Sequence, residues 1–233
     1  MILYILLILL ILYMITSRSK DSSKEGFENK TEVYSKLYDN IWNMIPFYKI
    51  QIELMKPYFN KITDYNNVLC IDCKTGHMPQ LLSNIKVTGL DNSKHMIEIS
   101  KKKYPEISFV QGDIDDSSIF KDNLFTHIYC PLFSINTKDI ELFFECIDKW
   151  LVPKGYLFIV SYENINISKF LVPNSKVQYD IEISNDKLTE KISYSNKNKT
   201  NVYYLKPQMF EYYKLINKIE IPNYSCYLNV YQK

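Results

Sequence analysis

The chain has 233 residues, a hydrophobic share of 46%, an aromatic share of 15% and a formal net charge of +2. That length suits one ample domain, and that apolar share excludes a disordered chain. The small net charge excludes the strong basic excess that marks a duplex nucleic-acid binder.

The first sixteen residues, MILYILLILLILYMIT, form an unbroken apolar run followed by Ser17-Arg18-Ser19-Lys20. As a helix this run reaches roughly 24 Å, workable for a ~30 Å hydrocarbon core with thinning or with Tyr and Lys at the interfaces. A signal peptide is the competing reading. Against it, no basic residue precedes the run and no Ala-x-Ala cleavage site follows. The expectation is an uncleaved, single-pass membrane anchor over 1–16. Arg18, Lys20 and Lys24 then predict that the C-terminal domain stays on the cytoplasmic side. Residues 17–30 are polar and read as a tether, leaving 31–233 as the folded domain.

Residues 31–60 are amphipathic at helical spacing, through Val33, Leu37 and Ile41 and, after Pro46, Ile50, Leu54 and Met55; two helices fit. The segment 67–72, NVLCID, is a short apolar run of strand type. A turn and a short helix through Leu81-Leu82 lead to a second strand ending at Asp91. Ser93 can cap a helix running to Lys103. Ile107 opens a third strand that ends before Gly112-Asp113. FTHIYC, within 123–130, is a fourth, and Thr137 can cap a helix through Leu142, Phe143, Ile147 and Trp150. The turn Val152-Pro153-Lys154-Gly155 feeds a fifth strand. Strands alternating with helices at this spacing argue for βαβ units and a mostly parallel sheet.

The last quarter changes character. Residues 177–184 and 188–194 alternate apolar and polar around Asn185-Asp186, which is a hairpin pattern. Its tyrosines make the insertion 176–205 a candidate substrate lid. A short helix is expected after Pro207, and KIEIPNYSCYLNVYQK reads as two strands broken at Pro222-Asn223. The five cysteines read as free thiols, because the Cys70-x-x-Cys73 pair lacks a second pair of zinc ligands at close spacing.

Four of the five glycines stand at the turns of this pattern: Gly76, Gly89, Gly112 and Gly155. In an open α/β sheet, ligands bind outside the carboxyl ends of the strands. There the turn 72–76 leads into a helix N-terminus, which presents free N–H groups. Asp91 is placed to accept from two ribose hydroxyls, and Asp113 to take an exocyclic amine, with Ile114 as an apolar wall. A lone strand-end aspartate is more often a helix cap or a solvated turn. Three such strand-end elements in register, with glycines at two of their turns, are harder to produce by chance.

With these residues in view, 31–233 resembles a class I S-adenosylmethionine-dependent methyltransferase, of the small-molecule, methyltransferase type 11/25-like group. The family's first motif usually reads V-L-D-x-G-C-G-T-G-H; this chain has Val68-Leu69-Cys70-Ile71-Asp72-Cys73-Lys74-Thr75-Gly76-His77. Gly89-Leu90-Asp91-Asn92-Ser93 matches the second motif, Phe109-Val110-Gln111-Gly112-Asp113-Ile114 the third, and Leu151-Val152-Pro153-Lys154-Gly155 the L-K-P-G-G turn. The resemblance implies an α/β, Rossmann-like, seven-stranded, mostly parallel sheet with an antiparallel last strand and helices on both faces, here behind an N-terminal transmembrane helix.

It also implies S-adenosylmethionine as cofactor, held by Asp72, Thr75, Gly76, Asp91, Asn92, Asp113, Ile114 and Cys130. Tyr38 and Asp39, with Tyr34, resemble an N-terminal helix that covers the cofactor. No catalytic base is named, since methyl transfer mainly needs an aligned nucleophile; His127, within a strand, reads as packed. The partners implied are a small-molecule substrate and a membrane, not nucleic acid.

The first motif departs from the family at three positions, where Cys70, Asp72 and Lys74 replace an acid and two glycines. A non-glycine residue held in a sparsely populated conformation costs about 1–3 kcal/mol. Either the loop keeps its turn, with Asp72 meeting the cofactor's amino group and Lys74 its carboxylate, or the loop has drifted because nothing binds there. Two functions remain open: a membrane-tethered methyltransferase, or a catalytically inactive module of the same fold anchored at a membrane.

Overall fold

The computed structural model describes residues 32, 35, 36, 38–40, 42–61, 65–131, 140–162, 170, 178–184, 187–194, 197–204 and 213–233. The apolar run 1–16, the tether 17–30, Tyr34, the expected cap at Thr137 and the helix expected just after Pro207 lie outside the described residues. Among the described residues no helix is long and apolar enough to cross a membrane.

Helix α1 (Ile45–Met55) starts with a proline in its first turn, where the missing N–H costs nothing. A 3₁₀ turn, Lys56–Tyr58, follows it. Strand β1 (Asn67–Ile71) is buried along its whole length. Then come helix α2 (His77–Leu81), β2 (Lys86–Asp91), α3 (Lys94–Lys103), β3 (Ser108–Gln111), β4 (Phe125–Cys130), α4 (Ile140–Trp150) and β5 (Leu151–Tyr162). The expected cap of α3 is made: Ser93 Oγ accepts the Met96 N–H at 3.3 Å, and three lysines occupy the last turn, where they face the negative end of the helix dipole.

Strands β9 (Lys214–Ile221) and β10 (Cys226–Gln232) complete a seven-stranded sheet of order β3-β2-β1-β4-β5-β10-β9. The pairs from β3 to β5 are parallel, and β10 runs antiparallel to both β5 and β9. The antiparallel strand is therefore the last in sequence but not at the sheet's edge. Successive side chains of a strand face opposite sides. Val68 and Cys70 pack with Phe47, Met55 and Phe158, while Leu69 and Ile71 pack with Phe143, Ile147 and Trp150. Both faces are covered, which explains why β1 reads as a continuous apolar run rather than an alternating one.

The insertion is larger than the expected hairpin. Strands β6 (Gln178–Ser184) and β7 (Lys187–Tyr194) pair as predicted, with Ser184 opposite Lys187. A third strand, β8 (Lys197–Tyr204), pairs antiparallel with β7 to form a separate three-stranded sheet. Its sequence, KNKTNVYY, begins with five polar residues and carries no alternation, so periodicity gave no sign of it.

Candidate active site

The strand order reverses between β1 and β4, and the carboxyl ends of those strands flank the crevice where such sheets take ligands. The loop leaving β1 is built on three left-handed residues: Asp72 at φ 50°, Lys74 at φ 50° and Gly76 at φ 87°. Asp72 and Lys74 stand where the family has glycines, and they keep the conformation glycine would take. The loop has not drifted. It is pinned by its neighbours: the Cys73 N–H donates to Leu90 O at 3.0 Å, the Gly76 N–H to Cys73 O at 2.9 Å, and the Lys74 N–H to Asp91 Oδ2 at 2.9 Å. The Lys74 ammonium pairs with Asp72 Oδ1. Asp72 Oδ2 is buried and accepts no hydrogen bond.

Gly76 cannot be replaced as Asp72 and Lys74 have been. A Cβ there would lie 2.8 Å from Phe109 Cζ and 3.0 Å from both Ser100 Cβ and Tyr104 Cδ2. The third helix and third strand close on this backbone.

Asp91, at the end of β2, is buried beneath the loop with 3% of its surface exposed. Its Oδ1 accepts the Ser93 N–H at 2.9 Å and its Oδ2 the Lys74 N–H. Burial, and then the charge of Asp72, push its pKa up to about 7. Each oxygen thus spends one lone pair on backbone and keeps one, so the two acceptors expected for ribose hydroxyls remain.

Asp113 stands on the same rim, since β2 and β3 are parallel neighbours, and the Gly112 N–H donates to Asp91 O at 3.1 Å. Its side chain is exposed, and its Oδ1 accepts the Asp115 N–H at 3.3 Å. Ile114 is half-buried against the second core cluster, and Asn92 is exposed beside Asp91. Cys130 ends β4 in full burial, which raises its thiol pKa, with the Asp72 charge adding to the shift; it is an apolar wall there, not a nucleophile. Tyr38 is buried and shares a side-chain hydrogen bond with Tyr48, whose hydroxyl sits in the field of Asp72 and Lys74.

One hub was invisible in the sequence. Asp39 Oδ1 accepts the Thr75 hydroxyl at 2.6 Å and lies 2.8 Å from His77 Nε2, and its Oδ2 accepts from the Lys103 ammonium at 2.5 Å. The other His77 nitrogen meets the Tyr104 hydroxyl at 3.0 Å. Burial works against the Asp39 charge, but hydrogen bonds from His77, Lys103 and Thr75 outweigh it and hold the carboxyl well below its usual range. The N-terminal helical residues are thereby tied to the loop and to the end of α3.

His127 is outside this set. It is buried, its Nε2 lies 3.1 Å from Tyr58 O, and burial pulls its pKa down to about 4. All five cysteines are free and buried.

Residues 69–159 match the methyltransferase domain family. The chain is 30% identical over 165 residues to carboxy-S-adenosyl-L-methionine synthase of Campylobacter jejuni, covering 66% of this chain and 70% of that protein. The chain belongs to the class I S-adenosylmethionine-dependent methyltransferases. A demethylmenaquinone methyltransferase of Chlorobaculum tepidum is 27% identical over 158 residues, covering 63% of this chain and 62% of the relative. The solved amino pentose methyltransferase of Micromonospora echinaspora aligns over 86% of this chain and 96% of its own, with a TM-score of 0.59 at 12% identity, a likeness of fold.

Membership makes S-adenosylmethionine the cofactor to test against these residues. They fit it. The left-handed loop is kept, Asp91 retains a lone pair on each oxygen beside it, and the buried, unpartnered Asp72 Oδ2 is an acceptor awaiting a donor.

Proposed function

We propose that this methyltransferase carries a methyl group to a small molecule, and that residues 1–16 anchor it in a membrane with its C-terminal domain on the cytoplasmic side. The observation that carries the enzymatic reading is the loop after β1. Two non-glycine residues hold positive φ there, each at about 1–3 kcal/mol, and Asp91 is bonded to the loop backbone. A segment released from cofactor binding would relax to cheaper angles, so this retention weighs against the inactive-module reading. The names of two similar proteins, for demethylmenaquinone and an amino pentose, support a small acceptor. The apolar run in the sequence supports the anchor.

Bound at this rim, S-adenosylmethionine supplies a methyl group activated by its sulfonium. The protein's part is placement. Asp91 would hold the ribose hydroxyls on its two remaining lone pairs, and Ile114 and Asp113 would bracket the base. Cys130 and Tyr38 keep their side of the crevice dry. Fixing a nucleophile in line with its target supplies ~7–11 kcal/mol without any proton transfer by the protein. This agrees with a site that holds several acceptors.

Calorimetry of the full chain with S-adenosylhomocysteine tests the reading; saturable binding at sub-millimolar ligand is expected. No heat up to millimolar ligand would remove it in favour of the inactive module. Mass spectrometry of a reaction with S-adenosylmethionine separates methyl transfer from alteration of the cofactor itself, the outcome suggested by the carboxy-S-adenosyl-L-methionine synthase relative. Membrane retention of the whole chain, compared with one starting at residue 31, tests the anchor.

A further inference from the structure

We infer that Asp72 and Lys74 form a self-paired clamp that exchanges partners with the amino-acid end of the cofactor, and so sets which adenosyl ligands this chain accepts. The inference rests on the methyl-donor reading above. The family's first motif usually has glycine at these two positions, with no side chain to offer, and this chain puts a charge pair there.

Three observations carry it. First, the two side chains are partly buried, at 14% and 28% exposure, and bond to each other through Asp72 Oδ1. Second, the other oxygen of the same carboxylate is buried with no hydrogen bond. A buried acceptor left empty costs about 1–3 kcal/mol, so the free protein holds an unspent preference for a donor at this spot. Third, the Lys74 backbone N–H is bonded to Asp91, which fixes the main chain independently of the side chain's ion pair.

An α-amino acid carries an ammonium and a carboxylate on adjacent groups. Against it the pair is complementary: Asp72 takes the ammonium, Lys74 turns to the carboxylate, and no charge is left uncompensated at any stage. Exchanging one ion pair for two avoids the large penalty of stripping a buried carboxylate of its cation. A ligand with the adenosine and thioether but without the amino-acid end gains nothing from this exchange. The clamp thus discriminates by charge pattern rather than by fit around the base.

The test is calorimetry of the full chain with two probes, S-adenosylhomocysteine and 5′-methylthioadenosine, which lacks the amino-acid end. Lys74→Met and Asp72→Asn should each weaken S-adenosylhomocysteine about tenfold to a hundredfold. Both should leave 5′-methylthioadenosine within about twofold, and Lys74→Arg should restore most of the loss. Equal losses for both probes would mean that the substitutions merely damage the loop, and the clamp is refuted. Unchanged or tighter S-adenosylhomocysteine binding by Lys74→Met refutes it too, the lysine being then a bystander or an obstruction. A wild-type chain that binds neither probe overturns the methyl-donor reading itself, and the clamp falls with it.

Discussion

Two turns in this molecule have each put a lysine where the family has glycine, and they differ in what surrounds it. Lys74 sits at φ 50° in the loop after β1, and Lys154 at φ 64° in the turn near the start of β5. Lys154 is exposed, and its turn is clamped by the far end of the chain: the Gln232 side chain donates to Lys154 O at 3.1 Å and the Lys233 N–H to Gly155 O at 3.0 Å. Lys74 is partly buried, paired with Asp72, and lies beside an acceptor with no donor. A chain with five glycines explains both replacements by composition alone. Only the first carries a charge pair and an unspent carboxylate oxygen, and that difference separates a ligand site from a scaffold turn.

The strongest way to break the loop is at the glycine it kept. Gly76→Ala adds a Cβ at 2.8 Å from the Phe109 ring to a residue at φ 87°. Strain and crowding together should cost about 2–4 kcal/mol, read as a lowered urea midpoint with unchanged slope.

Next in size is Asp91. Replacing it with alanine leaves the Lys74 and Ser93 N–H groups without their acceptor and removes the ribose contact. S-adenosylhomocysteine should bind about a hundredfold more weakly, at ~1.5–3 kcal/mol per charged hydrogen bond. Its titration adds a pH signature. The folded pKa, about 7, lies above the usual 3.8, so this group's contribution to stability is full below pH 3.8 and is lost as pH rises through about 7. Hydroxyl donors favour the ionised form, so binding should run the other way and weaken as pH falls below about 7. An affinity flat from pH 6 to 8 would show that Asp91 does not meet the ribose.

Much of this rim was legible because its parts are local in sequence. Asp91, Gly112 and Asp113 follow short apolar runs, and the end of each run fixes which rim of the sheet they occupy. The Asp39 hub was not legible, because its partners lie 36, 38 and 64 residues away and only the packed fold brings them together. Nor could letters alone say that Asp72 and Lys74 hold left-handed angles. That depends on hydrogen bonds from the loop's N–H groups to Leu90 O, Cys73 O and the Asp91 carboxylate, which over-determine the loop. Strand β8 escaped because its polar first half has no period to read.

The hub offers a smaller test of the same loop. Asp39 is about one-third exposed, so solvent screens its bonds, and Asp39→Asn should cost about 1–2 kcal/mol. The carboxyl's pKa is depressed, so its contribution is present above the usual 3.8 and lost as pH falls below it. Melting temperatures at pH 7 and pH 3 should therefore differ less in the variant than in the wild type. Equal differences would mean that the hub is not what ties the N-terminal helical residues down.

The finest test sets the two lysines against each other. Glycine relieves positive φ wherever it is placed, so Lys154→Gly should gain about 0.5–1 kcal/mol, offset a little by the freer unfolded chain. It should leave S-adenosylhomocysteine affinity unchanged, because nothing on that turn faces the crevice rim. Lys74→Gly relieves the same strain but also strips the Asp72 carboxylate of its cation in a partly buried place. Its stability gain should be smaller than that of Lys154→Gly, or absent, and its affinity for S-adenosylhomocysteine should fall. Equal gains, with affinity untouched in both, would make the two turns alike and reduce the lysine at 74 to another consequence of scarce glycine.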